Sequence, residues 1–291
     1  MEVKGKLVYI LENYILRFLD DKTYLKIKYK HIMKQKLNLD NPQTFNEKLQ
    51  WLKLHNRKDI YTTMVDKYEA KKYVANIIGE EYIIPTLGVY EKFDDINFEE
   101  LPNKFVIKCT HDSGGIVICE DKNNFDYKEA KKKINKGLKS NFYYFSREWP
   151  YKNVKPRIIV EKYMEDNIIG ELIDYKSYAF NGECDYLMAC YNRAKGNIKF
   201  LYYDREWHLI KNFSYDGMKY GNNIKIPKPK NLDKMFEFAT ILSKDIPFIR
   251  VDFYEANGML YFGELTFYPS AGFDDGRTKE LEEYLNNKLL I

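Results

Sequence analysis

The beginning of the chain carries apolar residues at helical intervals. They recur between residues 7 and 19 and again at Phe45, Leu49 and Leu52, a spacing that predicts amphipathic helices. Thr44 follows a turn signal in residues 41–43 and is a suitable N-cap for the second of these helices. A further helix is predicted over residues 66–75. We therefore expect residues 1–62 to form a helical N-terminal segment.

After Gly79 the pattern changes to short apolar runs, bounded by turn residues such as Asn181 and Gly182, which are typical of β-strands. The predicted strands lie at residues 82–90, 105–109, 116–119, 157–161, 174–180 and 187–191, and the predicted helices at 126–142 and 231–244. Strands in runs with helices between them indicate an α+β fold.

The last two predicted strands share residues 250–266 around a glycine-containing turn at residues 255–258. Asp252 lies on the first strand and Glu264 on the second, so that paired strands would direct both carboxylates into one pocket. Hard cations such as Mg²⁺ are usually held by one or two carboxylates together with substrate phosphates. The hairpin therefore indicates either a metal site or an amphipathic hairpin with two solvated acids.

Composition narrows the class of protein. The chain has 291 residues, of which 45% are hydrophobic and 31% charged, as is ordinary for a globular protein. Its net charge of +4 is too small to indicate a nucleic-acid partner. The four cysteines are not spaced like a zinc site or a disulfide scaffold, so we expect reduced thiols in the cytoplasm. No apolar run approaches the roughly 20 residues of a membrane span.

Two features upstream of the hairpin suit the phosphates of a nucleotide. Lys108 ends an apolar strand, where a charged side chain often points into a cleft, although a surface lysine is an equally good interpretation. The loop that follows contains Ser113, Gly114 and Gly115. Adjacent glycines let backbone N–H groups approach a phosphate, but the spacing is neither a Walker loop nor a dinucleotide fingerprint. A hairpin turn explains the same residues.

Further polar residues stand on the strands between this loop and the hairpin. Glu161 to Met164 close a strand, where backbone groups could meet a purine edge and Met164 its face, or the strand could simply end. Asp174 and Lys176 share one face of the next strand by alternation, which suits either a ribose and a phosphate or a salt bridge. Arg193 follows in a later loop.

In this order and spacing, these features resemble the ATP-grasp superfamily. The resemblance covers about residues 64–273 and looks closest to the TupA-like branch, which is often found among bacterial capsule and surface-polysaccharide proteins. The phrases that carry it are Thr44-Phe-Asn-Glu-Lys48, Asp66-Lys67-Tyr68, Phe-Val-Ile-Lys108-Cys, Ser113-Gly-Gly115, Asp174-Tyr-Lys176 and Glu264-Leu-Thr266-Phe-Tyr-Pro269. It implies an ATP-grasp domain at residues 63–291, with two α+β subdomains that grip ATP and a hinge near residues 161–164.

The resemblance also implies roles for individual residues. The ATP-binding set comprises Lys67 and Lys108 on the phosphates, the loop of Ser113, Gly114 and Gly115, the adenine hinge of Glu161, Lys162, Tyr163 and Met164, and Asp174 on the ribose. The catalytic cations would be Lys176, Arg193 and Arg250. The Mg²⁺ ligands would be Asp252, Glu264 and Thr266, with Glu264 bridging two ions. Thr266 departs from the family pattern, in which Asn is usual, so binding of the second ion or the chemistry could differ.

The function implied is an ATP- and Mg²⁺-dependent ligase that joins a carboxylate to an amine through an acyl-phosphate. The expected substrates are a uronic-acid-type sugar or glycan precursor and an amine such as an amino acid, in a cytoplasmic protein that could associate peripherally with membrane-bound glycan assembly. The alternatives are a sugar kinase, a glycosyltransferase of a polysaccharide locus and a non-catalytic ATP-binding protein. A glycosyltransferase would leave Lys108 and the glycine loop unexplained.

Overall fold

The computed structural model of the chain describes residues 16–193 and 195–291. Most of the helix predicted between residues 7 and 19 lies outside this part of the chain, and the described end of it is a short 3₁₀ turn at Leu16–Phe18. In the described residues, no helix combines the length and the apolar character needed to cross a membrane.

In the described part of the chain, four α-helices precede the first strand. They are α1 (Asp21–Met33), α2 (Phe45–His55), α3 (Ile60–Val65) and α4 (Glu69–Ile78). Thr44 caps α2 as predicted, because its hydroxyl accepts the Glu47 N–H while the Glu47 carboxylate accepts the Thr44 N–H. The prediction for the fourth helix was wrong at its start. Asp66 does not belong to it but accepts the N–H groups of Tyr68 and Glu69, so that α4 begins at residue 69.

Four strands form the first sheet. They are β1 (Thr86–Tyr90), β2 (Phe105–Cys109), β3 (Ile116–Cys119) and β4 (Ile158–Lys162), in the order β1-β4-β2-β3 with antiparallel neighbours. Helix α5 (Tyr127–Leu138) covers one face of this sheet, where Phe105, Ile107 and Val160 pack with its apolar side. Lys108 and Glu161 lie on the opposite face, because they alternate along β2 and β4 with the residues that pack against α5.

Five strands form the second sheet. They are β5 (Asp174–Phe180), β6 (Glu183–Tyr191), β7 (Lys199–Asp204), β8 (Ile249–Ala256) and β9 (Met259–Thr266), in the order β7-β6-β5-β8-β9. The remaining helices are α6 (Phe142–Ser146), α7 (Tyr215–Tyr220), α8 (Leu232–Leu242) and α9 (Lys279–Lys288). The core of this sheet includes Phe45 and Leu49 of α2, so this N-terminal helix packs into the same core as the sheet.

Several predicted boundaries move for local reasons. The first strand begins at Thr86 rather than residue 82, because residues 80–82 form a 3₁₀ turn and Pro85 has no N–H to donate. The basic helix ends at Leu138, and Asn141 caps a separate short helix by accepting the Tyr143 N–H. Strand β7 and helices α7 and α9 were not predicted.

One face of α2 holds the turn that follows β9. Residues 270–272 of the turn Pro269–Gly272 all have positive φ, and two of them are not glycine. Gln50 donates to the Gly272 carbonyl at 2.7 Å, and Lys53 donates to the Ala271 carbonyl at 2.8 Å. Both side chains are fully buried. The left-handed region is unfavourable for residues with a Cβ, so contacts from α2 hold the turn in this conformation.

Candidate active site

The predicted site residues fall into two clusters, one on each sheet. On the second sheet, backbone pairing aligns three of them in one row: Lys176 of β5 faces Asp252 of β8, which faces Glu264 of β9. Arg250 and Thr266 form the next row. Residues that pair across antiparallel strands point to the same face. The two carboxylates therefore share one face, as the hairpin pattern predicts.

Asp252 is the centre of the cluster on the second sheet. Its carboxylate is buried and accepts hydrogen bonds from Arg250, whose Nε lies 2.6 Å from Oδ1 and whose Nη2 lies 2.7 Å from Oδ2. The ammonium of Lys176 also contacts Oδ2. Burial opposes the charge on Asp252, but Arg250 and Lys176 outweigh burial and lower its pKa. Asp252 is therefore held as an anion with two cations beside it.

Asp174 joins the same cluster from the beginning of β5. Its Oδ2 lies 2.7 Å from Lys176 Nζ and 3.0 Å from Arg193 Nη2. Its Oδ1 is buried and has no hydrogen-bond partner among the described residues. Burial raises the pKa of Asp174, Lys176 opposes this effect, and the nearby Asp252 adds to it. The salt bridge between Asp174 and Lys176 is therefore present, and the role of Asp174 as a ribose ligand stays a prediction.

Glu264 lies at the open side of the cluster. Half of its side chain (50%) is exposed, and its Oε1 lies 3.3 Å from Arg250 Nη2 and 3.4 Å from the Thr266 hydroxyl. Loss of solvation, together with the charge of Asp252, raises the pKa of Glu264 even though the side chain still reaches solvent. Asp252, Glu264 and Thr266 therefore place hard oxygen donors side by side.

The first sheet carries a second cluster, centred on a buried carboxylate. Glu161 of β4 contacts Lys108 of β2, with 2.5 Å between Oε2 and Nζ, and its Oε1 contacts Lys71 of α4. Burial disfavours the charged form of Glu161, but Lys108 and Lys71 lower its pKa to about 2. The side chain expected at the adenine hinge is thus engaged in ion pairs, and its backbone lies between the paired residues Thr86 of β1 and Val106 of β2.

The glycine loop lies between β2 and β3 next to Lys108. Gly114 has φ +99°, a conformation that side chains rarely adopt, and a Cβ on Gly115 would lie 2.0 Å from Asp112 Oδ2. Ser113 and Gly114 are exposed. These glycines thus permit both the backbone conformation and the close approach of Asp112, with the tip of the loop open to solvent.

Lys67 stands between the two clusters. Its ammonium contacts the Asp112 carbonyl, and its backbone N–H donates to Thr110 O at 3.0 Å. Burial lowers the pKa of Lys67 against the opposing charges of Asp112 and Glu264. The Glu264 carboxylate of the second sheet is therefore within electrostatic reach of Lys67. We expected Lys67 to lie within a helix, but it lies in the turn before α4.

The predicted hinge connects the two sheets. Lys162 donates its N–H to Pro85 O at 3.0 Å, and the Tyr163 hydroxyl lies 3.3 Å from Glu120 Oε1. Tyr163 and Met164 are half-buried and Lys162 is exposed. Their role as an adenine hinge stays a prediction.

Sequence reasoning missed Lys71, which lies in the first-sheet cluster. A signal was present, because Lys67 and Lys71 are four residues apart and would share one side of the predicted helix. It also missed Arg157, whose guanidinium binds Asp66 at 2.7 Å and Glu69 at 2.9 Å and so fixes the turn that carries Lys67.

Comparison with known proteins identifies the family. The sequence model described as TupA-like ATPgrasp matches residues 47–290, which is most of the chain. The chain belongs to the TupA-like ATP-grasp family. The match begins inside the predicted N-terminal segment, so α2 lies within this TupA-like ATP-grasp region from its third residue onward. No curated protein sequence matches the chain.

Solved structures with a similar fold include three ligases. The D-alanine–D-alanine ligase from Bacillus anthracis is 17% identical, with a TM-score of 0.44, over 78% of this chain and 66% of that one. The corresponding ligase from Helicobacter pylori is 14% identical, with a TM-score of 0.43, over 84% and 69%. The ATP-grasp ligase PsnB is 10% identical, with a TM-score of 0.41, over 82% and 65%. About a third of each of these chains thus lies outside the match to this TupA-like protein.

Proposed function

We propose that this protein is an ATP- and Mg²⁺-dependent ligase that activates a carboxylate as an acyl-phosphate and joins it to an amine. The observation that carries the proposal is the row of Lys176, Asp252 and Glu264 on one sheet, with Lys67, which stands between the two clusters, within electrostatic reach of Glu264. Such a cleft has cations for phosphates on one side and oxygen ligands for a metal on the other.

The first sheet supports a nucleotide on its open face. Lys108 pairs with Ile116 of β3 and Val106 pairs with Ile118, so these four side chains share the face opposite α5. Both isoleucines are exposed. Exposed apolar side chains next to a lysine and a glycine loop suit a molecule with a flat apolar base and a charged phosphate chain.

The acids of the second sheet suit Mg²⁺, which requires oxygen ligands. Asp252, Glu264 and Thr266 would hold it, and the unpaired Oδ1 of Asp174 is a further buried acceptor for a ribose hydroxyl. Because Arg250 and Lys176 already contact the Asp252 carboxylate, these cations would share it with the metal or move towards the phosphates. When bound, Mg²⁺ supplies positive charge to neutralise the phosphate oxygens.

The proposed reaction requires positioned charge rather than a protein nucleophile. A substrate carboxylate oxygen attacks the γ-phosphorus, the bond from that phosphorus to the bridging oxygen breaks, and ADP leaves. The amine then attacks the acyl carbon, loses a proton and displaces inorganic phosphate. Lys176, Arg250 and Arg193 are the cations available to stabilise the negative charge that develops, and Lys67 and Lys108 are available to orient the phosphate chain.

The substrate pair that we propose is a carboxylate-bearing sugar or glycan precursor and an amine such as an amino acid, in the assembly of a capsule or another surface polysaccharide. This part of the proposal rests on the context of the family and not on a particular side chain. Tyr143, Tyr202 and Tyr203 do not support stacking on a sugar, because all three are buried in the protein.

Trapping of the acyl-phosphate tests the reaction. The protein would be incubated with Mg·ATP, hydroxylamine and either UDP-glucuronate or UDP-glucose, which differ in the carboxylate. We expect ADP, inorganic phosphate and a hydroxamate in equal amounts with UDP-glucuronate, and none with UDP-glucose. ADP formation with both sugars, without free phosphate or hydroxamate, would contradict the ligase and indicate a sugar kinase.

A further inference from the structure

The buried carboxylate of the first sheet has two lysine partners that differ in their surroundings. Glu161 is 4% exposed at its side chain, Lys71 is 8% exposed and Lys108 is 25% exposed. Helix α4 contributes Lys71, and strands β4 and β2 contribute the other two. We refer to Lys71, Glu161 and Lys108 as the buried triad. Its net charge is +1, since one carboxylate lies between two ammonium groups.

Lys71 has no capacity left for a ligand. An ammonium group has three N–H donors, and those of Lys71 point to Ile84 O at 2.7 Å, to Thr86 Oγ1 at 3.3 Å and to the Glu161 carboxylate. All three acceptors belong to the protein, and the side chain is buried. Lys71 is therefore suited to act on its neighbours and not on a bound molecule.

Lys108 has the opposite character. It stands opposite Ile116 in the register of β2 and β3, at the entrance of the glycine loop, with a quarter of its side chain in solvent. Its ion pair with Glu161 is made through one carboxylate oxygen, while the other oxygen contacts Lys71. Lys71 and Lys108 thus share the negative charge of Glu161. The more of that charge Lys71 neutralises, the more of the positive charge of Lys108 is available to a bound molecule.

We infer that Lys71 is a positioning residue for nucleotide binding: it neutralises Glu161 from behind, so that the positive charge of Lys108 remains available to the phosphate chain. Without Lys71, Glu161 would pair with Lys108 alone, and the triad would lose its net positive charge. An anionic phosphate chain would then meet a neutral pair. This inference rests on the proposed ATP site, and it adds a residue that does not touch the nucleotide.

The electrostatics of the triad agree with this arrangement. Burial lowers the pKa of Lys71 in spite of the attraction of Glu161, which means that burying the ammonium carries a cost. Lys108 and Lys71 nevertheless lower the pKa of Glu161, although burial opposes this. A buried carboxylate without a partner would destabilise the folded protein. Lys71 offsets part of this cost for Glu161, so that Lys108 need not neutralise the carboxylate alone.

Isothermal titration calorimetry of the full chain with Mg·ATP tests the inference through four variants. These are Lys71→Met, Lys71→Gln, the double variant Lys71→Met with Glu161→Gln, and the control Lys72→Met. Lys72 is the next residue of the same helix, is 55% exposed at its side chain and pairs with Glu69. Lys71→Gln removes the charge but keeps N–H donors for Ile84 O and Thr86 Oγ1. It therefore separates the loss of charge from a failure to fold.

We expect Lys71→Met and Lys71→Gln to weaken Mg·ATP binding by about 10- to 100-fold, as for the loss of a charged hydrogen bond. The double variant should recover to within about threefold of the wild type, because its triad again has a net charge of +1. The control should stay within about twofold. A double variant as weak as the single variants would overturn the inference and indicate a purely structural role, as would single variants that bind like the wild type. A wild type that does not bind Mg·ATP would overturn the proposed function itself.

Discussion

At the scale of single residues, the site is defined by which charges are buried together. Asp252 and Glu161 are both buried acids with two cationic partners each, and in both the partners overcome burial and lower the pKa. Glu264 and Asp174 have the opposite shift, since loss of solvation and the neighbouring Asp252 raise their pKa. The cluster on the second sheet thus contains a fixed anion, Asp252, next to two acids that lose charge more readily, which is typical of functional sites.

The lowered pKa of Glu161 predicts a pH dependence of stability. Its ordinary value is 4.5 and its value in the folded protein is about 2, so its contribution is complete above pH 4.5 and is lost as the pH falls towards 2. The shift corresponds to about 3 kcal/mol. The lowered pKa of Lys71 does not enter this range, because lysine is charged in both states at acid pH.

Urea unfolding at a series of pH values measures this effect. The free energy of unfolding of the wild type should fall between about pH 5 and pH 2 more steeply than that of Glu161→Gln, by about 3 kcal/mol. Other carboxylates, Asp252 included, contribute to both proteins equally and cancel in the comparison. Parallel curves for the two proteins would show that the triad does not stabilise the charged carboxylate.

At the scale of elements, the sequence was sufficient to predict a feature wherever one short pattern of neighbouring residues determines it. The capping box of Thr44 and Glu47, the β2–β3 hairpin and the pairing of Asp252 with Glu264 all follow from residues close in sequence. In contrast, the contact between Lys71 and Glu161 joins a helix to a strand 90 residues later. Its existence depends on the order of strands in the sheet, which periodicity does not determine.

The same reason explains why the role of the N-terminal helices was not predicted. The sequence pattern shows that α2 has an apolar face with Phe45, Leu49 and Leu52. It does not show that the buried polar residues Gln50 and Lys53 reach the turn after β9, because the distance along the chain is more than 200 residues. Such contacts are long-range and become visible only in the folded chain.

A variant at α2 tests this contact. Gln50→Leu removes the amide that donates to Ala271 O at 3.1 Å and to Gly272 O at 2.7 Å, which leaves buried carbonyls without that partner. The expected loss is about 1–3 kcal/mol, and the turn should open locally. Amide hydrogen exchange of the full chain should speed up in residues 267–274 and stay unchanged in β5 and β8. Uniform acceleration across the whole protein would contradict a local role.

At the scale of the whole molecule, two antiparallel sheets supply complementary halves of one proposed site. The four-stranded sheet contributes cations and an open apolar face, and the five-stranded sheet contributes acids with their own cations. The charges of Lys67 and Glu264 affect one another across the two halves. Family membership agrees with this arrangement, since the match spans both sheets.

The most direct test of the central claim is thermal unfolding of the wild type and of Glu264→Gln with Mg·ATP or UDP-glucose. Glu237→Gln, on the exposed side of α8, serves as the matched control. A ligand at about 100 times its dissociation constant adds roughly 2.7 kcal/mol to the folded state. We predict that Mg·ATP raises the melting temperature of the wild type and the control, and that Glu264→Gln loses this response. Stabilisation by UDP-glucose and not by Mg·ATP would contradict the account and favour a glycosyltransferase.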